Sequence, residues 1–484
     1  MQKILFFSFM LLGLQEVVGQ QKMSLSMAIE QAQQEAFETA SYQADVAIAK
    51  WNYKVFRANL LPQVNLEGSP LSYSKQVNPI TQPDGGITYQ SIEQNNASLR
   101  LNVNQAIPLT GGKLYVGSQL YRFDNFLVDQ QQYSTQPFFI GYSQPILKFN
   151  PQKWERQLQP LYWEEAQKQY TEDMAWLAVQ TTDRYFEVLK TQERAAMAKS
   201  NFEDSQKILD ITRQKLELGR ASQNDLLQVE LNVINAKSQL AQARFNNQKA
   251  LRALRDFLRL DLEEEGWVLS LPTTLFKKSI DRTFAWQKAK QNRKDFVAYH
   301  RKLLEAKRNT ARAKGQNRFQ ADVDVSIGFN NQAGSLADSY SNAVPAQTVG
   351  FTFTVPMLDW GKGKNAIRSA QAQVQKIQAE QQKDQVDFQR NVLNLVEGLE
   401  IAALQVERAA QARAIALKKY EITLQRFRLG ALSLRELIWN TTEKDNTHNA
   451  YILALEGYWT GYYQLMTLTL YDFEKEIDIE TNFK

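Results

Sequence analysis

Asp322 and Asp324 stand two apart in an alternating stretch, so both carboxylates fall on one face of a strand. That geometry suits the wall of a water-filled lumen or part of a calcium site, and few other oxygen ligands lie nearby in sequence to complete the latter. Gly111-Gly112-Lys113 and Gly361-Lys362-Gly363-Lys364 combine glycine and lysine as phosphate-cradling loops do, but neither has the rest of such a loop. The first reads as a tight hairpin turn. The second opens a long helix, where a turn and a simple anion contact are the alternatives. Histidine occurs twice, His300 in a basic helical stretch and His448 near a helical tail, and neither has a carboxylate or serine at catalytic spacing. Both read as surface or interface residues. Cysteine is absent, which excludes thiol nucleophiles, thiolate metal sites and disulfides. The expectation is a protein without catalytic residues, bound metal or cofactor.

The bulk composition narrows the class further. In 484 residues, 57 Lys and Arg nearly balance 52 Asp and Glu, leaving +5, too little to argue for nucleic acid as a partner. The 43% hydrophobic share and mean hydropathy of −0.46 exclude a polytopic helical membrane protein, which needs several uninterrupted apolar runs of about 20 residues. The N-terminus fits a secretory signal peptide over residues 1–20: Lys3, an apolar core from Ile4 to Leu14, then Val17-Val18-Gly19 before Gln20. With no cysteine after the cleavage point, the mature chain is not a lipoprotein.

The chain is duplicated. Lys215–Leu227 (KLELGRASQNDLL) is echoed by Arg426–Ile438 (RFRLGALSLRELI), and matching Gly219 to Gly430 sets an offset of 211 residues. The same offset pairs Pro145 with Pro356, Phe149 with Trp360, Gln214 with Gln425 and Ser222 with Ser433. Residues 21–260 form the first repeat and 282–470 the second, with a linker at 261–281 and a tail at 471–484. Each repeat reads as helix, strands, very long helix, turn and returning helix. Ser24–Leu60 and Asp281–Gln316 lack interior breakers apart from Gly315, and each reads as one helix of about 35 residues, with Ser24 or Ser26 as a cap. Gln152–Leu218 and Lys362–Leu429 are expected to be rods of about 100 Å. Pro160 lies near the start of the first, where proline is tolerated best. Gly219 and Gly430 end the rods as left-handed caps, and Ser222 or Asn224 and Ser433 restart the chain. Two short helices end to end match one long helix, which suggests a wall of uniform height. Along the second rod Phe388, Val392, Leu395, Leu399, Ala402 and Val406 recur at three- and four-residue steps, as coiled-coil contacts require. A soluble secreted or periplasmic coiled-coil scaffold shares that signal.

The strands separate the two readings. Val323, Val325, Ile327 and Phe329 alternate with Asp322, Asp324, Ser326 and Gly328, and Val349, Phe351 and Phe353 alternate with Gly350, Thr352 and Thr354. Leu99, Leu101 and Val103, and Phe138, Ile140 and Tyr142, do the same in the first repeat. Stretches of about ten residues, apolar on one side and polar on the other, mark an outer-membrane barrel. The first repeat is longer here, with 83 positions from Pro62 to Pro145 against 36 from Gln320 to Pro356. Its excess predicts an extra strand pair around Gly111-Gly112 and six strands per chain. Neither four nor six strands close a barrel, so the chain must oligomerise. Trp360, Phe149 and Tyr142 fall where strands meet helices, as an interfacial girdle would. Tyr458, Trp459, Tyr462 and Tyr463 read as helix packing.

Taken together, Met23–Ala32, the strand-to-helix junctions Tyr142–Asn150 and Thr354–Gly361, and both L-G-x-x-S tips resemble the TolC-type outer-membrane efflux protein family over almost the whole mature chain. The resemblance implies a homotrimer without cofactor: a transmembrane β-barrel in the outer-membrane lipid, continuous with a periplasmic α-helical barrel and built from two tandem repeats. It also implies tips, here Leu218, Gly219 and Ser222 with Leu429, Gly430 and Ser433, that meet a periplasmic adaptor (membrane fusion) protein coupled to an inner-membrane pump. The family closes its periplasmic end near these tips. By position, Glu436 and its first-repeat counterpart Asp225 match gate acids, and Phe427 matches an aromatic residue of the closing links. Trp439 stands where a second acid is found, so a double acidic ring is not expected. A solvated acid favoured by the helix dipole is the alternative role for Glu436. The family usually has four strands per chain, so the region Ser98–Asp124 departs from its pattern.

Overall fold

The computed structural model describes residues 22–260, 268–276 and 278–479. The expected signal peptide and most of the acidic part of the linker lie outside these residues. In chain order the elements are β1 (Lys22–Met23), α1 (Leu25–Glu35), α2 (Phe37–Ala58), β2 (Gln63–Ser69), β3 (Tyr73–Thr81), β4 (Ile87–Ile107), β5 (Gly112–Asn125) and β6 (Gln130–Ile146). They continue with α3 (Pro151–Glu217), α4 (Gln223–Leu258), β7 (Val268–Leu269), α5 (Arg282–Asn292), α6 (Lys294–Gln316), β8 (Gln320–Ala333), α7 (Leu336–Tyr340) and β9 (Val344–Thr354). The chain ends with α8 (Lys362–Arg428), α9 (Leu434–Thr469), β10 (Tyr471–Asp472) and β11 (Ile477–Asp478).

The duplication is explicit in the helices. The two rods α3 and α8 are each 67 residues long, and the returning helices α4 and α9 each 36. Pro160 sits inside α3 without ending it. The expectation of one continuous helix before each set of strands is corrected. Each breaks after 11 residues, at Ala36 (φ −59°, ψ 149°) and at Arg293 (φ −69°, ψ 141°). At both breaks the amide still bonds the carbonyl four residues back while the extended ψ turns the following helix away. Thr39 Oγ1 donates to that same Ala32 carbonyl at 2.9 Å, so the first break is also braced from within by a side chain. Ser24 and Asp281 are the N-caps of α1 and α5.

The chain divides into two compact units, and these cut across the repeats, each unit taking segments from both. The first takes residues 1–44, 170–293 and 389–484, and among the described residues its regular structure is helical apart from two small strand pairs. Leu177, Tyr185, Phe186, Leu189, Leu258, Leu437, Ile452, Leu455 and Leu465 are among its fully buried side chains, and their removal from water is its main stabilising term. Tyr185 reaches the carbonyls of Met23 (2.9 Å) and Ser270 (2.6 Å), and so ties the parallel β1–β7 pair to α3. The aromatic cluster on α9 packs as expected: Tyr458 and Trp459 donate to the carbonyls of Phe276 and Pro272, each at 2.9 Å, and strap the linker down.

The second unit, residues 45–169 and 294–388, holds one antiparallel sheet and the strand-side ends of the helices. The sheet order is β2-β4-β5-β6-β8-β9, with β3 also paired to β4. The 21-residue β4 accepts β2 along its second half (Ser98–Asn104) and β3 along its first (Ile87–Asn95). The seven segments therefore make six rows, and β4 and β5 are the extra pair foreseen around Gly111-Gly112. Gly111 (φ +79°) supplies the positive φ of their turn, and Asn150 Nδ2 bonds the Pro108 carbonyl at 2.8 Å. On the helical side Arg301 grips both oxygens of Glu165 (2.5 and 3.1 Å) and reaches Glu305 (3.1 Å). Gly315 lets α6 approach the β6–α3 junction, where a Cβ would lie 2.8 Å from the Phe149 amide. Among the described residues no helix is long and apolar enough to cross a membrane.

Candidate functional site

Two places concentrate the predicted residues: the turns that end the rods, and the faces of the sheet. At the first turn Gly219 (φ +67°) ends α3, its amide bonding Leu216 O at 2.9 Å and that of Arg220 bonding Lys215 O at 2.7 Å. That pairing satisfies carbonyls the helix end would otherwise leave open. Ser222 then caps α4 reciprocally. Its Oγ accepts from the Asp225 amide (3.1 Å), and the Asp225 carboxylate accepts from the Ser222 amide (3.0 Å) and hydroxyl (2.7 Å). These hydrogen bonds hold the Asp225 carboxyl below the usual carboxylate range.

The second turn repeats the backbone but not the charge arrangement. Gly430 (φ +77°) bonds Phe427 O at 3.0 Å, Ala431 bonds Arg426 O at 2.9 Å, and Ser433 Oγ accepts from the Glu436 amide at 3.3 Å. The extra methylene of Glu436 carries its carboxylate past the cap. Among the described residues that carboxylate accepts no hydrogen bond and joins no ion pair, and it is exposed. Leu218 (69% exposed) and Leu429 (84%) stand open next to the glycines, and Trp439 (70%) is exposed in the second turn of α9. Phe427 instead is buried with Tyr420 and Leu437, against Ile208, Leu424, Leu432 and Leu434. Lys215 lies 4.5 Å from the centre of its ring and donates to its carbonyl at 3.0 Å.

Behind the tips the structure brings together polar groups that the sequence reading did not pick out. Tyr420 donates to Asp204 at 2.8 Å, Asn440 to Thr423 at 3.1 Å, Asn201 to Asp445 at 2.6 Å, and Lys419 to Glu443 at 2.6 Å. Burial, with the adjacent Asp204, pushes the Tyr420 hydroxyl up. His448 lies 3.0 Å from Glu193, while His300 is exposed.

The sheet has two chemically different faces. Following the register from row to row, one face carries Val64 and Leu66, then Leu101 and Val103, Val116, Ile140, Val325 and Ile327, Phe351 and Phe353. The other carries Asn65 and Glu67, Arg100 and Asn102, Gln119, Gly141 and Ser143, Asp322 and Asp324, Gly350 and Thr352. Asp322 and Asp324 are thus on the polar face together, and Asp322 pairs with Lys148. That ion pair disfavours calcium, and no metal-binding cluster occurs among the described residues. At the Gly361–Lys364 turn the Asp359 carboxylate accepts from the amides of Gly361 (2.9 Å) and Gly363 (2.8 Å), which lower its pKa. The helix supplies its own anion there. Trp360 is 89% exposed at this junction, whereas Phe149 packs between Gly315 and Arg312.

The family model of the outer membrane efflux protein matches residues 28–258 and 285–469, which together exceed half the chain. The chain belongs to the outer membrane efflux protein family. Membership places it in the outer membrane of a Gram-negative cell, with a periplasmic extension. Its fold is similar to that of the Campylobacter jejuni CmeC outer membrane channel (16% identity, 92% of this chain and 85% of that one, TM-score 0.67). It is likewise similar to the outer membrane protein VceC of Vibrio cholerae (14%, 92% and 95%, TM-score 0.65). The open state of the Neisseria gonorrhoeae MtrE outer membrane channel is a third such structure (14%, 92% and 88%, TM-score 0.62). No curated protein matches the chain. The match begins at Ala28 and spans both tips, so the family's helical framework and both L-G-x-x-S turns lie inside it.

Proposed function

We propose that this member of the family is the channel component of a tripartite efflux or type I secretion system. It passively conducts substrates from an inner-membrane pump across the periplasm and the outer membrane. Three copies close the barrel, and a periplasmic adaptor seats on the tips around Gly219 and Gly430. The observation that carries the reading is the two-faced sheet. Its apolar side suits lipid, its polar side suits water, and its outer strands β2/β3 and β9 offer backbone groups that lipid cannot satisfy. A soluble coiled-coil scaffold accounts for the rods but leaves that apolar side without a cover.

Glu436 is the acid we place at the gate, because Asp225 is engaged in its own helix cap. Three such carboxylates around a narrow axis repel one another and favour cations. The exposed Leu218, Leu429 and Trp439 give an adaptor apolar contact, while the caps Ser222 and Ser433 fix the turns. The purified protein should pellet with outer membranes, resist salt extraction and give discrete conductance steps in planar bilayers. A soluble, non-conducting product would overturn the proposal. Glu436→Ala should lower cation selectivity, and unchanged selectivity would remove the gate role alone.

A further inference from the structure

The sheet's register assigns the number of strands in the closed wall. Starting at Gln63, the helix-side end of β2, the paired row runs Asn104, Tyr115, Gly141, Ser326 and Thr348. Thr348 lies six residues before Thr354, the helix-side end of β9. The row thus rises relative to the line of strand ends, three residues above those of β4 and β5, five above that of β6 and six above those of β8 and β9, as it must in a tilted barrel wall. Six residues over the six rows of one copy is about one residue per strand, a tilt of about 35° at ~3.3 Å per residue and ~4.8 Å between strands. That value falls within the range for outer-membrane barrels, roughly 35–45°. β4 and β5 share in this climb, and Leu99, Leu101 and Val103 of β4 with Leu114, Val116 and Leu120 of β5 continue the apolar face, interrupted at Ser118 opposite Leu101.

The polar face of the extra pair is built as wall too. The ring of Tyr115 lies over Gly141, where a Cβ would come within 2.2 Å, and that of Phe139 over Gly117, where it would come within 2.5 Å. The two rings, 6.2 Å apart and tilted 60° to each other, thus cover glycines of the neighbouring strands. Arg100, on the same side, is held down by Gln119 at 3.0 Å.

We infer that all six rows of each copy enter the barrel, giving an 18-stranded ring in which β2 of one copy pairs antiparallel with β9 of the next. The inference rests on the three-copy channel reading above. Level helix-side ends place Gln63 beside the neighbour's Thr354. That register sets Val64 beside Phe353 and Leu66 beside Phe351, apolar with apolar on one face, and all four side chains are 60–67% exposed in the single chain. Backbone diameter grows with strand number: 18 strands give about 35 Å, against about 23 Å for the 12 that four rows per copy would supply. The occupant of each open edge is a second copy of this chain.

The test is cryo-electron microscopy of the full-length oligomer in nanodiscs, with a cross-link in membranes. The chain has no cysteine, so the double variant Leu66→Cys/Phe351→Cys carries the only two thiols. Paired strands bring Cα atoms about 4.5–5.5 Å apart, within disulfide range. Eighteen strands and a covalent trimer on oxidation are expected. Density for a 12-stranded ring with the β4–β5 hairpin outside the lipid would overturn the inference and leave the channel reading intact. So would oxidation without cross-linking in a trimeric ring. A ringless monomer would overturn both.

Discussion

A lysine at Val325 and a lysine at Ser326 are neighbouring substitutions with opposite expected costs. Val325 lies between Tyr142 and Val349, midway along the apolar positions of β8 that run from Ala321 to Phe329. Those positions span about 26 Å along the strand and about 21 Å along the membrane normal at a 35° tilt, close to the ~25 Å apolar band of an outer-membrane barrel. In the proposed barrel Val325 therefore sits near the midplane, where a lysine facing lipid costs about 2–4 kcal/mol. That is roughly 30- to 700-fold per chain, and about 6–12 kcal/mol for a ring of three. Ser326 faces the other way, beside Gly141, where water solvates the ammonium. Urea unfolding of the assembled oligomer in lipid vesicles, followed by tryptophan fluorescence, should show a large loss for Val325→Lys and a change within about 0.5 kcal/mol for Ser326→Lys. Equal losses at the two positions would refute the assignment of faces.

Three further outcomes follow from the tips. The Ser222 hydrogen bonds hold the Asp225 carboxyl low, so its capping contribution is complete above the unfolded-state value of about 3.9 and fades as pH falls through the lower folded value. Amide exchange at Leu226, corrected for the intrinsic rate, should accelerate only in that acid range, and Asp225→Asn should remove the dependence. Gly219→Ala and Gly430→Ala force a Cβ into the left-handed region, where no neighbouring atom obstructs it, so each should lower tip stability by about 1 kcal/mol through the backbone alone. Tyr420→Phe removes the 2.8 Å hydrogen bond to Asp204 but keeps the ring, and thermal unfolding should register a loss of about 1–3 kcal/mol.

How far the sequence could be read depended on whether the deciding signal was local. Gly219, Gly430, Ser222 and Ser433 mark the tips because a left-handed cap and an N-cap each demand particular residue types at one position. Alternation along β8 and β9, and the surplus length before Pro145, were enough to expect six rows. The helix breaks at Ala36 and Arg293 carried no such mark. Neither position is a glycine or proline, and tertiary packing decides the turn there. The two roles of the tip acids were equally hidden: Asp225 and Glu436 align by offset, yet one methylene separates a closed capping box from an uncommitted charge. Tyr420 falls on the apolar seam of α8, and nothing in its spacing announced that Asp204, 216 residues earlier, would take its hydroxyl proton as a hydrogen bond.

The most direct test of the account uses single cysteines introduced one at a time from Asp322 to Phe329 and spin-labelled in outer-membrane vesicles. Collision with lipid-dissolved oxygen should peak at Val323, Val325, Ile327 and Phe329, and collision with a water-soluble nickel chelate at Asp322, Asp324, Ser326 and Gly328. Uniform access to the nickel chelate along the strand, with no two-residue period, would contradict a wall between oil and water.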